Sequence, residues 1–171
     1  MDALQEYNIP FVGLKLGKHQ YNYHIDDTFF TAYKYHDFET IDCDIDLVLE
    51  KKTTLLELFF KIQGTAMLRC DTTNEPYKES FDNSLQLIIK FGETYNDDND
   101  EVLILPHSAY QFNVAQYIYE GIVLALPIKR VHPGIKDGTL QSKVLDKLRE
   151  IEKTNKKQID PRWDKLNKLL T

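Results

Sequence analysis

The chain has little cysteine, glycine and tryptophan: two Cys, seven Gly and one Trp in 171 residues. Two cysteines, Cys43 and Cys70, cannot form the disulfide framework of a small secreted domain, so we expect reduced thiols and a cytoplasmic protein. No apolar run approaches the roughly 18 residues that a transmembrane helix needs, which predicts no membrane partner. The first residues, from Met1 to Glu6, lack the basic and apolar regions of a secretory signal.

Motifs of catalysis are absent as well. The five histidines lack zinc-protease spacing, and there is no Gly-rich phosphate loop or Gly-x-Ser-x-Gly turn. Asp42, Asp44 and Asp46 resemble the start of a calcium loop. The sixth and twelfth positions of such a loop, however, are Leu47 and Thr53 instead of Gly and Glu. We interpret the aspartates as the wet face of a strand with a Lys or Arg opposite; a metal-dependent nuclease is a weaker hypothesis. The sequence thus predicts no enzyme, no metal and no cofactor.

Apolar residues in period two are abundant in the first half of the chain. Such alternation predicts strands with one buried and one wet face, and turn residues at 51–54 and 74–76 separate them. Gly64 interrupts the second run and predicts a bend or bulge there. The three runs predict an antiparallel meander over residues 41–49, 56–70 and 81–91.

Weaker patterns flank this meander. Pro10 to Leu16 and Gln20 to Ile25 predict one or two further strands. Asp26 or Asp27 is expected to cap a short helix over residues 28–35. The acidic stretch 93–101 predicts a mobile loop.

The second half of the chain has helical periodicity. Asn113, with Gln116 three residues later, predicts a capping box that starts a helix ending at Pro127. Its apolar stripe consists of Val114, Ile118, Ile122 and Leu126.

Two more helices are predicted after it. One covers about 139–153, and another begins with Asp160 as N-cap and Pro161 at the first helical position. Together the patterns predict one α+β domain over residues 1–171: a twisted antiparallel β-sheet or partial barrel with the C-terminal helices packed at one side. The meander, 41–92, is its expected core, and 113–171 its helical, basic part.

The net charge of −6 is unevenly distributed. From Lys129 to Thr171 there are 12 Lys or Arg against 6 Asp or Glu, whereas residues 1–128 have 9 against 21. This division predicts an anionic partner for the basic part, such as the phosphates of RNA. Alternatively, the basic helices lie against the acidic body. Candidate nucleic-acid contacts are Lys129, Arg130, His132, Lys143, Lys147, Arg149, Lys153 and Arg162.

Arg162 is followed by Trp163, the only tryptophan of the chain. A guanidinium and a ring side by side could stack on an unpaired base. The helical spacing of Trp163 with Leu166 and Leu170 favours packing in a core instead.

Several short motifs occur in an order that resembles a known family. Cys-Asp precedes the third strand, a Glu precedes Leu-Ala-Leu-Pro, Val-His-Pro follows, and Asp-Pro-Arg-Trp lies near the C-terminus. This arrangement resembles the YceD family of bacterial large ribosomal RNA subunit accumulation proteins, especially its Bacteroidetes-type members, from about Ile41 onward. The motif residues are Cys70, Asp71, Glu120, Leu124, Pro127, His132, Asp160, Pro161, Arg162 and Trp163.

The resemblance implies a non-enzymatic ribosome biogenesis factor that supports accumulation or maturation of large-subunit ribosomal RNA. The implied partner is this RNA or a pre-ribosomal particle, and not DNA. The alternative is an acidic protein-interaction module that binds a basic ribosomal protein or assembly factor without contacting RNA. The resemblance implies a second cysteine in many members where this chain has Thr73, so we expect no metal site. Cys70 also falls in the buried phase of its strand, which predicts a small, buried, apolar role.

Overall fold

A computed structural model describes residues 4–99 and 101–155 of the chain, with side chains as far as residue 151. The chain divides into two compact units. The first, called the sheet unit, comprises Met1–Leu68 and Lys78–Ile128; the second, called the basic unit, comprises Arg69–Tyr77 and Lys129–Thr171. The basic unit carries 13 Lys or Arg against 8 Asp or Glu, and the sheet unit 8 against 19. The charge division along the sequence therefore nearly coincides with a structural division.

Six strands form the main sheet in the order β2-β3-β4-β5-β7-β6, and two short strands, β1 and β8, pair separately. The strands are β1 (Asn8–Pro10), β2 (Gly17–Asp26), β3 (Thr40–Lys51), β4 (Leu55–Arg69), β5 (Pro76–Gly92), β6 (Asn96–Asn99), β7 (Val102–Pro106) and β8 (Gln111–Asn113).

Within residues 4–99 and 101–155, four α-helices and the short 3-10 helix Gln5–Tyr7 accompany these strands. The sheet unit contains α1 (Asp27–Ala32) and α2 (Ala115–Ala125), and the basic unit contains α3 (Pro133–Lys136) and α4 (Lys143–Asn155). Among the described residues no helix has both the length and the apolar character that crossing a membrane requires.

The predicted meander is confirmed in β3, β4 and β5, because the alternation in the sequence matches alternation in burial. In β3 every second side chain is at most 4% exposed, and the residues between them face solvent or are half-buried. Each buried Ile or Leu of this kind contributes about 1.5–3 kcal/mol. The buried set of β3 is Ile41, Cys43, Ile45, Leu47 and Leu49.

The α+β class is confirmed, but one detail of the predicted sheet is wrong. The sheet is mixed, because β5 pairs with β7 in parallel, with Ile88 opposite Val102. Of the two predicted forms the structure has the sheet, with β2 and β6 at its edges, and it is not closed into a barrel. Alternating burial has the same period in parallel and antiparallel strands, so the sequence pattern could not give the direction of β7.

Two flanking predictions also need correction. The expected acidic loop contains strand β6, which pairs with β7 as an edge strand. The first predicted strand, 10–16, is wrong because β1 ends at Pro10. The second, from Gln20 to Ile25, is confirmed within the longer β2.

Gly64 marks a close approach of two strands. The ladder between β3 and β4 is continuous through the pair Cys43–Gly64, so the predicted bulge is not found in it. A Cβ atom at position 64 would lie 2.1 Å from the Cβ of Cys43 and 2.6 Å from the carbonyl oxygen of Asp42. Only glycine leaves room for the neighbouring strand here.

Asp26 caps α1, as predicted. Its carboxylate accepts a hydrogen bond from the Thr28 backbone N–H at 2.9 Å. The adjacent Asp27 has a different role, since its carboxylate accepts from the Ile41 backbone N–H at 2.6 Å. Asp26 thus caps α1, and Asp27 joins α1 to the start of β3.

The start of α2 differs from the predicted capping box. Asn113 does accept from the Ala115 N–H at 2.9 Å, but the N-cap position is Val114. Gln116 donates to Glu120 at 2.6 Å instead of reaching back to the cap. The predicted apolar stripe is confirmed, because Val114, Ile118, Ile122 and Leu126 are all buried.

The helices of the basic unit match the prediction less well. The short helix α3 was not predicted, and α4 begins at Lys143 instead of near Thr139. Of the apolar side chains described on α4, Leu145 is buried, whereas Val144, Leu148 and Ile151 are 39–55% exposed. The helix predicted from Asp160 lies outside the described residues.

Candidate nucleic-acid interface

The turn between β4 and β5 forms the first half of the candidate site in the basic unit. The Cys70 N–H donates to the Glu75 carbonyl at 3.0 Å, and the Asn74 N–H donates to the Cys70 carbonyl at 2.8 Å. Asn74 has a φ of 59°, in the left-handed region that Asn tolerates better than most residues. The turn is therefore closed at both ends around Cys70.

The segment that enters α3 forms the second half. The Asp71 N–H donates to the Arg130 carbonyl, and the Arg130 N–H donates to Asp71 Oδ2, both at 2.8 Å. The His132 N–H donates to Cys70 Sγ at 3.3 Å. The structure thus brings together three residues of the family motif, Cys70, Asp71 and His132, although the first and last are 62 positions apart.

His132 has a structural role in this arrangement. Its Nδ1 accepts a hydrogen bond from the Gly134 N–H at 2.9 Å, which caps α3. Its ring meets the ring of Tyr77 edge-on, with centroids 5.7 Å apart. Contacts with Gly134 and Tyr77, both in the basic unit, therefore hold the half-buried imidazole in place.

Cys70 is only 2% exposed, which confirms its predicted burial. The expected apolar role is wrong, because its sulfur accepts hydrogen bonds. Burial raises the pKa of the Cys70 thiol, but donors outweigh it and lower that pKa to about 7. The donors are the His132 N–H, the Thr73 hydroxyl and the N–H groups of Thr73 and Thr72. At Cys43, by contrast, burial raises the thiol pKa to about 12.

Thr73 is the residue of this site that sequence reasoning missed. It is 7% exposed, and both its hydroxyl and its N–H stabilise the sulfur of Cys70. Its position, three residues after Cys70 where the family resemblance implies a second cysteine in many members, was the available signal.

The donor set around Cys70 does not suit zinc. A structural zinc site needs four Cys, His or carboxylate ligands in tetrahedral geometry. This site offers one thiolate, a threonine hydroxyl and an imidazole whose Nδ1 is occupied by Gly134. Among the described residues no group of three or more His, Cys, Asp or Glu is arranged to hold a metal ion.

Most of the predicted RNA-contacting side chains that the structure describes face solvent. Lys143 and Lys147 lie one turn apart on α4 and therefore share a face of that helix. The helix also carries acids, and Arg149 lies 4.0 Å from Asp146. In the described part of the basic unit the exposed basic residues are Arg69, Lys129, Lys136, Lys143, Lys147 and Arg149, and Arg130 is half-buried.

The remaining candidates are not part of this arrangement. Glu120, Leu124 and Pro127 belong to the sheet unit. The side chain of Lys153, the helix predicted to begin at Asp160 and Pro161, and the pair Arg162 and Trp163 lie outside the described residues.

The three aspartates of β3 lie on an exposed face, as predicted. Lys61 is in register with Asp46, but Gln63 and Thr65 stand opposite Asp44 and Asp42, so the expected cation faces only one of the three. On the other side, His24 lies 2.9 Å from Asp44, and this hydrogen bond raises the pKa of the imidazole.

A family model described as large ribosomal RNA subunit accumulation protein YceD matches residues 58–170 of the chain. The matched region is more than half of the chain and contains the β4–β5 turn, α2 and nearly the whole basic unit. No curated protein and no solved structure matches the chain. The closer resemblance to Bacteroidetes-type members stays a prediction.

Proposed function

Because the chain belongs to the YceD family of large ribosomal RNA subunit accumulation proteins, we propose that it is a non-enzymatic biogenesis factor of the large ribosomal subunit. In this proposal it protects large-subunit ribosomal RNA, or helps it to mature, in the cytoplasm. The family is named for the accumulation of an RNA and not for a reaction, which supports a binding role over a catalytic one.

The charge division between the two units is the observation that carries this proposal. Positive charge is concentrated in the unit that also contains the turn with Cys70 and Asp71, while the sheet unit is strongly acidic. Exposed lysines attract RNA phosphates and release counterions without reading a base sequence. We propose that the basic unit contacts the RNA and that the acidic sheet unit does not.

The proposed contact uses side chains from two segments of the basic unit. Lys129 directly precedes Arg130, whose backbone is held by two hydrogen bonds to Asp71. The backbone from which the Lys129 side chain projects is therefore held in place. Lys143 and Lys147 project from one face of α4. If each of these three lysines neutralises one phosphate, removing all three should make the plot of log affinity against log salt concentration less steep by roughly 2–3.

Charge reversal tests this proposal with a matched control. The test variant carries Lys129→Glu, Lys143→Glu and Lys147→Glu, and the control carries Lys15→Glu, Lys78→Glu and Lys90→Glu in the sheet unit. All six lysines are exposed, and both variants change the net charge equally. We expect the test variant to bind a large-subunit RNA transcript at least about tenfold more weakly, with a flatter salt dependence, and the control to lose much less. Equal losses in both variants would contradict the proposal.

A cellular experiment tests the biological role. Lysates of cells expressing the tagged chain are separated on sucrose gradients, and the copurifying RNA is sequenced. We expect the wild-type chain and the control to sediment with large-subunit precursors, and the test variant to remain at the top. A wild-type chain found only at the top, without ribosomal RNA, would refute the assembly role.

A further inference from the structure

The sheet unit contains a groove of about 1250 Å³ that the proposed RNA contact does not use. It is bounded by β5, by the β6–β7 hairpin and by helix α2. The Asn83 side-chain amide donates to the Gly121 carbonyl at 2.8 Å and joins α2 to β5. This bond fixes the helix that forms one wall of the groove.

The charged side chains that line the groove are all acidic. Asp97 and Glu101 come from the β6–β7 hairpin, and Glu120 comes from α2. Among the described lining residues there is no Lys, Arg or His. The hydrogen-bond donors to the Asp97 and Glu120 carboxylates, the Tyr95 hydroxyl at 2.9 Å and the Gln116 amide at 2.6 Å, are neutral. The negative charges are therefore not balanced within the groove.

Aromatic and apolar groups line the same groove as these carboxylates. Tyr95 is 57% exposed, and Leu124 at the α2 wall is 80% exposed. Tyr117 is half-buried, and burial first, then Tyr95, Glu120 and Asp97, raise the pKa of its hydroxyl to about 12. Asp97 of the hairpin and Glu120 of the helix thus both disfavour a negative charge on the Tyr117 hydroxyl.

We propose that this groove binds a segment of a partner protein in which Lys or Arg side chains alternate with apolar ones. Charge complementarity favours this occupant, because three unbalanced carboxylates attract cations and repel an RNA phosphate backbone. The tyrosine rings accept cationic groups on their faces. Leu124, exposed beside them, offers a contact for the intervening apolar side chains.

This inference does not depend on RNA binding, since the groove and the basic unit share no residue. The two proposals are therefore separable by experiment. Neutralising the carboxylates of the groove is expected to leave the affinity for RNA unchanged. Reversing the charge of the lysines in the basic unit is expected to leave the affinity of the groove for its peptide unchanged.

Fluorescence anisotropy of the full-length chain with a labelled peptide tests the groove. The probe is a short Arg- and Lys-rich peptide with intervening Leu and Ala; in its neutral version citrulline replaces Arg and norleucine replaces Lys. The groove variant is Asp97→Asn, Glu101→Gln and Glu120→Gln. The control is Asp42→Asn, Asp44→Asn and Asp46→Asn, which removes the same charge from an exposed face of the same unit.

We expect saturable binding of the basic peptide, weakened at least about tenfold in the groove variant and less than about twofold in the control. The neutral peptide should bind at least about tenfold more weakly than the basic one. Equal weakening by both variants would reduce the effect to net charge and overturn the proposal. Equal binding of both peptides would overturn it as well.

A second variant protects the test against misfolding of the groove variant. Leu124→Ala alters a highly exposed side chain without changing the charge of the protein. We expect this variant to bind the basic peptide severalfold more weakly than wild type. Sedimentation velocity examines the competing occupant, a second copy of this chain. Self-association that is lost in the groove variant, together with unchanged peptide binding, would assign the groove to that copy and overturn the proposal.

Discussion

Asp71 and Arg130 are linked by a reciprocal pair of hydrogen bonds across 59 positions of the sequence. The backbone N–H of Asp71 donates to the Arg130 carbonyl, and the backbone N–H of Arg130 donates to the Asp71 carboxylate, each at 2.8 Å. The Asp71 carboxylate thus accepts the hydrogen bond that a backbone carbonyl of a paired strand would otherwise accept. The pair fixes the start of the basic C-terminal segment to the β4–β5 turn.

Replacing Asp71 with Ala should loosen this link locally. The Arg130 N–H loses its acceptor, which costs about 1–2 kcal/mol, so we expect its hydrogen exchange to accelerate roughly tenfold. Asp71→Asn retains a carbonyl acceptor and should have a smaller effect. Glu75→Ala removes the same charge from the same turn and is the control. Similar acceleration in the Asp71→Ala and Glu75→Ala variants would show that charge, and not the hydrogen bond, holds the segment.

Cys70 should make stability depend on pH. The folded-state pKa of its thiol, about 7, is below the ordinary value of 9.0, so folding favours the thiolate. The thiolate contribution is complete above the unfolded pKa and is lost as pH falls through about 7. We expect the stability difference between wild type and Cys70→Ser to grow by about 1–2 kcal/mol between roughly pH 6 and pH 9 in urea denaturation.

Cys43 is the internal control for this measurement. Burial raises its thiol pKa to about 12, so it stays protonated throughout the same range. Cys43→Ala should lower stability through lost packing by an amount that does not vary with pH. A Cys70→Ser difference that is equally constant would mean that the Cys70 sulfur is not ionised in the folded protein.

Lys51 should stabilise the loop that follows β1. Its ammonium donates to the carbonyls of Phe11 at 2.8 Å, Val12 at 3.3 Å and Leu14 at 2.9 Å. Lys51→Met keeps the length of the side chain but removes these bonds, and we expect a loss of about 1–3 kcal/mol in urea denaturation. The neighbouring Lys52→Met removes a surface ion pair with Glu57 and should lower stability much less. Equal losses would contradict a special role for Lys51.

The sequence predicted the elements whose burial is periodic. β3, β4 and the stripe of α2 were found because each alternation continues over many residues and matches one buried face. The parallel pairing of β7 was missed, since its direction depends on how the chain returns and not on local pattern. The sequence of β6 predicts a loop because all four of its residues are polar; the structure shows them exposed, as in an edge strand.

The candidate site was predicted in part. Motif resemblance pointed to Cys70, Asp71 and His132, which the structure brings together. The hydrogen bonds to the Cys70 sulfur were not foreseen, because one comes from a backbone N–H 62 positions away. The acidic groove was missed for a similar reason, since its carboxylates come from a hairpin and a helix that are separate in the sequence.

Gly64 should be intolerant of any side chain. A Cβ atom there would lie 2.1 Å from the Cys43 Cβ and 2.7 Å from the Cys43 Cα, so two adjacent strands would have to separate. Because these contacts involve backbone and Cβ atoms and not flexible side-chain ends, we expect Gly64→Ala to lower the free energy of unfolding by about 3 kcal/mol or more. Gly13→Ala is the control, since nothing lies within 4 Å of its added Cβ, and it should change stability by less than about 1 kcal/mol. Urea denaturation of both variants decides the matter. A Gly64→Ala protein as stable as wild type would show that β3 and β4 can move apart at this pair without loss of their ladder.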